Sequence, residues 1–90
     1  MFVFPVKIKR TIIMNKIYVV NEEFGKILKD RRELMSMTQQ TLSSQGGLSR
    51  AYISELETGR KDPSLSSLLK LSYALNIKAS HLMHYLEARI

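Results

Sequence analysis

Thr38-Gln39-Gln40-Thr41-Leu42-Ser43-Ser44-Gln45-Gly46-Gly47-Leu48-Ser49-Arg50-Ala51-Tyr52-Ile53-Ser54-Glu55-Leu56-Glu57 is the stretch on which the reading of this chain turns. Thr38 and Ser49 are hydroxyl residues of the type whose side-chain oxygen accepts from the free amides at a helix start. Gly47 supplies the left-handed conformation that ends a helix at low cost. The spacing predicts one short helix over 38–45, closed by Gly46-Gly47, and another from about 50 to 58 that stops at Gly59. Ser43 is small where the two helices must approach, and Ile53, four residues past the cap at Ser49, is the inward anchor. Two helices of about two turns each with this short link are the parts of a helix-turn-helix.

The same helical pattern extends to both sides. Asn21 can cap a helix that opens with Glu22 and Glu23, acids suited to its positive end. Phe24, Ile27, Leu28, Arg32 and Met35 then recur at three- and four-residue spacing, which predicts a helix over about 22–35. Pro63-Ser64 opens a fourth helix with Leu65, Leu68, Leu69 and Leu75 on one face, closed by Asn76, and a fifth spans about 79–88. Five short helices with short links imply an all-α domain over residues 21–90. Residues 1–20 differ: rich in Phe, Val, Ile and Tyr, they predict an extended arm with two β strands, Val3–Arg10 and Thr11–Val20. They also read as a flexible arm, or in part as sequence upstream of a start at Met14.

Ninety residues make one small domain, for which a second subunit is a reasonable stabiliser. Fourteen basic against eight acidic residues give +6, and 44% apolar residues argues against a wholly disordered chain. The charge favours a polyanionic partner. Residues 1–20 alone supply +4 through Lys7, Lys9, Arg10 and Lys16 with no acid. The absence of cysteine removes disulfides, thiolate nucleophiles and Cys-based zinc sites. His81 and His84 share a helix face, but no third ligand accompanies them, so no metal, no cofactor and no catalytic site is expected. No apolar run approaches the ~18 residues of a membrane span, and a cytoplasmic protein with no membrane partner is expected.

The run Met37–Leu42, then Gly47–Glu57, then Gly59-Arg60-Lys61-Asp62-Pro63-Ser64-Leu65 and Leu68–Leu71 resembles the Cro/C1-type (XRE-like) helix-turn-helix family, over about residues 22–84. That resemblance implies a five-helix, lambda-repressor-like DNA-binding domain. Four departures concern packing: Ser43 where the family usually has Ala, Gly46 beside Gly47, expected to fray the second helix, and Arg31 and Ser36 where an apolar residue and Gly are common.

On a helix capped by Ser49, Arg50, Ala51, Ser54 and Glu55 lie away from the Ile53/Leu56 face and are the candidate base contacts. Arg50 suits guanine O6 and N7, Glu55 suits cytosine N4, and Ala51 suits a thymine methyl. Candidate phosphate contacts are Thr38, Gln39 and Ser49 at helix starts, with Tyr52, Thr58, Arg60 and Lys61. Tyr52 could equally pack or reach a base. The resemblance implies that Arg32 and Glu57 pair across the first and third helices and orient the latter without reading bases.

The function expected is a sequence-specific DNA-binding transcriptional regulator, of the repressor, autoregulator or restriction–modification controller kind, that binds double-stranded DNA at an inverted repeat as a homodimer. Ile77, Leu82, Met83, Tyr85, Leu86 and Ile90 exceed what one small core needs and are the candidate dimer interface. The alternative is an antitoxin or phage-type modulator whose N-terminal strand adds to a protein partner.

Overall fold

The computed structural model describes residues 19–90. They form five helices: α1 (Val20–Leu34), α2 (Gln39–Gly46), α3 (Arg50–Glu57), α4 (Leu65–Ala74) and α5 (Ala79–Arg89). The all-α expectation holds, with every helix within two residues of its expected bounds. The largest shift is at α1, which begins at Val20 with Val19 as a cap lacking a side-chain bond, so Asn21 lies inside the helix rather than capping it. Val20 is therefore helical and not the end of a strand. The expected strands otherwise lie outside the described residues.

The hydroxyl residues predicted to start helices do so. Thr38 accepts from the Thr41 amide, Ser49 from the Tyr52 amide and Ser64 from the Ser67 amide. At the far ends, α1, α3 and α4 each finish in paired backbone bonds closed by a left-handed residue: Ser36, Gly59 and Asn76. After α3, the Gly59 amide donates to Leu56 and the Arg60 amide to Glu55, which satisfies two of the four carbonyls a helix leaves open. Gly59 bears a second constraint, because a Cβ there would lie 3.0 Å from Cα of Glu22.

Inside, Phe24, Ile27 and Leu28 of α1 meet Leu42 of α2, Ile53 and Leu56 of α3, Leu71 and Ala74 of α4 with Leu75, and Leu82 and Leu86 of α5. Helix α1 packs on α3 and α5, while α2 packs on α3 and α4 and α4 on α5. Two expectations about α4 and α5 change here. Leu65 and Leu69 do not share the buried face of α4; they are 81% and 61% exposed. Conversely Leu82 and Leu86 are core residues of the single chain and are not free for a dimer surface. A five-helix core this small needs both leucines to close α5 over α1 and α4.

The departures from the family pattern find structural partners. The Ser43 hydroxyl donates across the turn to the Leu48 carbonyl, so it fastens the link rather than bonding back along its own helix. Gly46 does not fray: it remains helical and buried, where a Cβ would meet that of Ala74 at 3.8 Å. Arg31 replaces apolar packing with a cap on α4, donating from Nε to the Leu75 carbonyl and from Nη2 to that of Asn76, both at 3.1 Å.

Candidate nucleic-acid interface

The position of α3 is fixed by what lies behind it. Ile53 and Leu56 are buried without exposed surface. At the C-terminal end the Glu57 carboxylate accepts two bonds from Arg32, 2.6 Å from Nε to Oε2 and 3.0 Å from Nη2 to Oε1. The side chains are 11% and 3% exposed. Such a two-point match of fork to carboxylate sets angle as well as distance. The remaining guanidinium nitrogen, Nη1, donates to the Met37 carbonyl at 2.8 Å, and Gln39 Nε2 donates to Glu57 Oε1 at 3.1 Å. Glu57 beside it holds the Arg32 guanidinium above its ordinary value. The Arg32–Glu57 pair thus ties together the end of α1, the link that follows, the start of α2 and the end of α3.

Gly25 supplies a contact that the helical pattern in the sequence did not expose. A Cβ built on it would lie 2.5 Å from the Leu56 carbonyl oxygen and 2.6 Å from that of Glu57. The backbone of α1 therefore seats directly on the end of α3, a closeness only glycine permits. Within the sequence, a glycine in mid-helix between Phe24 and Ile27, where it costs about 1 kcal/mol against alanine, was the available signal.

With its inner face held, α3 offers Arg50 and Ala51 as exposed residues, and Ser54 and Glu55 as half-buried ones, along one side. Arg50 makes no side-chain hydrogen bond or ion pair among the described residues. Glu55 does: Lys61 Nζ approaches its Oε2 at 3.3 Å, linking the helix to the following loop. Arg60 and Lys61 are exposed beside it. Thr38 and Gln39 sit at the start of α2, and Gln39 spends one of its two amide hydrogens on Glu57, leaving the other for an outside acceptor.

Two expected phosphate contacts are otherwise engaged. Tyr52 is half-buried against the core, and its hydroxyl donates to Ser67 at 3.1 Å, which favours the packing role. The Thr58 hydroxyl, lying 3.0 Å from the Ser54 carbonyl and 3.2 Å from that of Glu55, uses its one hydrogen to cap α3. Of the expected dimer residues, Tyr85 and Met83 are exposed and Ile77 and Ile90 half-buried on the outside of the core. His81 and His84 are exposed on α5. No helix of the described residues is long and apolar enough to cross a membrane.

The family model described as helix-turn-helix matches residues 28–82, which contain all of α2, α3 and α4. The chain belongs to the helix-turn-helix family. It is 37% identical to the control protein C.MunI from a Mycoplasma species, over 71% of this chain and 88% of that one. It is 35% identical to the HTH-type transcriptional regulator y4dL of Sinorhizobium fredii, over 63% of this chain and 29% of the relative, so it spans less than a third of that protein. Among solved structures, the restriction-modification controller protein C.AhdI from Aeromonas hydrophila superposes with a TM-score of 0.66 at 36% identity, covering 68% of this chain and 92% of that one. The Cro/C1-type resemblance and the five-helix fold are borne out by these matches.

Proposed function

We propose that this helix-turn-helix protein is a sequence-specific DNA-binding transcriptional regulator that lays α3 in the major groove and acts as a homodimer on an inverted repeat. The observation that carries the reading is the pairing of opposites on α3: an inner side fastened by Ile53, Leu56 and the Arg32–Glu57 pair, and an outer side bearing Arg50, Ala51, Ser54 and Glu55. A helix this well held can present side chains in a fixed register, and the major groove is wide enough to admit one helix. Arg50 has its full fork of donors for guanine. Glu55 reads cytosine only after exchanging Lys61, so Lys61 moves to a phosphate as Glu55 moves to a base. Arg60 and the starts of α2 and α3, with Thr38, Gln39 and Ser49, supply the remaining backbone grip.

The relatives named as control and restriction-modification controller proteins support a regulator of that kind. Such a function assigns binding and not catalysis to the chain, in the cytoplasm where its DNA partner lies. The second copy would dock along the groove between α1 and α5, whose walls include Leu34, Ile77, Tyr85 and Ala88. Two copies are required because one α3 covers too few base pairs to find a site among ~10⁶ or more competitors.

Selection of bound sequences from a random duplex pool tests the reading. The expected product is a near-palindrome with half-sites about 10 base pairs apart, bound with an affinity that falls steeply with salt, by a log–log slope near −0.9 per phosphate contact. A pool with no enriched motif, together with a flat salt dependence, would overturn the proposal.

A further inference from the structure

The directional attachments of α3 are concentrated at its far end. Glu57 is held by Arg32 and Gln39, and the backbone of α1 at Gly25 seats against the carbonyls of Leu56 and Glu57. Arg50 and Ala51 stand at the opposite end of a helix of 8 residues, hence about 12 Å long. A tilt of only about 5° about the Glu57 end would move that first turn by about 1 Å, more than the ~0.5 Å within which a binding geometry has to be held. Ile53 is buried in the middle of the helix, but apolar contact is non-directional and leaves the angle open. The first turn therefore needs a directional anchor of its own.

Tyr52 has the parts of one. Its amide donates to the cap oxygen of Ser49 at 3.1 Å, and its hydroxyl donates to Ser67 Oγ at 3.1 Å. Ser67, 6% exposed, is in turn held twice by the cap residue of α4: the Ser64 hydroxyl donates to its Oγ at 2.8 Å, and its amide donates to Ser64 Oγ at 3.1 Å. Helix α3 packs mainly on α1 and α2. Among the described residues, the Tyr52–Ser67 bond is the one side-chain hydrogen bond that joins α3 to α4. Arg50, two positions before Tyr52, makes no such bond of its own among those residues, so the backbone of this turn decides where its guanidinium starts.

We infer that the Tyr52 hydroxyl is a positioning group for base selection, clamping the first turn of α3 to the start of α4 through Ser67 and so setting how Arg50 and Ala51 enter the groove. The inference rests on the DNA-binding reading above and deepens it. A phenylalanine would fill the same space, so packing alone does not require the hydroxyl. A neutral hydrogen bond adds only modest net stability, yet its demands on distance and angle hold the turn in one place.

Tyr52→Phe removes the hydroxyl and nothing else, and Ser67→Ala removes its acceptor from the other side. Circular dichroism and urea unfolding are expected to show both variants folded and close to the natural protein. The readout is selection from a random duplex pool, followed by titration of the selected site and its single-base-pair variants, with Arg50→Ala marking the base pair that Arg50 reads. In Tyr52→Phe and in Ser67→Ala, preference at that base pair should fall about tenfold, the low end of what a bidentate contact to one base carries. The double variant should fall no further, because both changes remove one bond. An unaltered preference in Tyr52→Phe would overturn the inference and leave the DNA-binding reading standing. So would an equal weakening on every duplex, the mark of a hydroxyl that grips phosphate. A natural protein that enriches no motif would overturn both.

Discussion

Helix α1 holds two other helices, and it holds them by different means. Toward α3 it offers a bare backbone at Gly25 and a guanidinium sunk between helices, with the Arg32–Glu57 pair joined at 2.6 and 3.0 Å. Toward α5 it offers leucine packing overlaid by exposed ion pairs, Arg89 reaching Glu23 at 3.2 Å and Asp30 at 3.7 Å. A buried pair is strict about geometry and costly to break, whereas exposed pairs add little beyond the packing beneath them. The helix proposed to read a groove has the strict attachment. The helix assigned to self-association has the tolerant one.

Four measurements can break or sharpen that contrast. The largest effect is expected from Glu57→Ala, which leaves Arg32 buried without its partner. Its loss in urea unfolding should be about 3 kcal/mol, the low end of the range for such pairs because Arg32 keeps a little solvent contact. A loss as small as that of an exposed pair would erase the distinction drawn above. Next comes Gly25→Ala, where the obstacle is backbone and cannot swing aside. A loss of about 2 kcal/mol is expected by analogy with overpacked cores, despite alanine's better helix propensity, and a neutral or stabilised variant would show that α1 and α3 can separate freely. Ser36→Gly should act in the opposite direction. It relieves a left-handed serine at φ 57° just before Met37, whose carbonyl Arg32 uses, and should stabilise by about 1 kcal/mol.

The smallest effect belongs to the α5 side and is read through pH. The hydrogen bond from Arg89, with help from Lys26, holds the Glu23 carboxyl below its ordinary value of 4.5. A carboxylate lowered by folding stabilises the fold at pH above that ordinary value, and the contribution fades as pH falls through the lowered one. Arg89→Ala should therefore cost a little stability at neutral pH, where the contribution is present, and none at acid pH, where it has already faded, so that the slight sag on the acid side disappears. A variant that unfolded at neutral pH would place Arg89 on the same footing as Arg32.

The legible parts of this protein were those written within a few residues. Thr38, Ser49 and Ser64 announce helix starts because a cap and its target amide lie three positions apart, and Gly47 and Gly59 announce ends because their backbone angle is a local matter. The outer side of α3 could be read by the same logic once Ile53 and Leu56 were placed inward. What escaped is what depends on contacts across the chain. Gly25 reads as a weak helix residue until Leu56 arrives from thirty-one positions away. Leu65, Leu68, Leu69, Leu71 and Leu75 wrap too much of α4 for sequence to say which face is buried, and Leu65 and Leu69 proved to be outside. Leu82 and Leu86 looked surplus because residue spacing does not tell how many leucines a five-helix core consumes. Thr58 read as a phosphate contact and Tyr52 stayed open between packing, phosphate and base, because their hydroxyls spend themselves on the end of α3 and on Ser67, choices invisible before folding.

The seat of Gly25 on the carbonyls of Leu56 and Glu57 bears on how such a protein can diversify. The pose of α3 is set by main-chain atoms and by residues behind the helix, and none of Arg50, Ala51, Ser54 or Glu55 takes part in that seating. Those four positions can therefore drift in identity while the helix stays where it is, so that, if they read bases as proposed, a lineage built on this framework can acquire new target preferences without refitting its interior. Inheritance of the scaffold and inheritance of the message are, in this small chain, carried by separate residues.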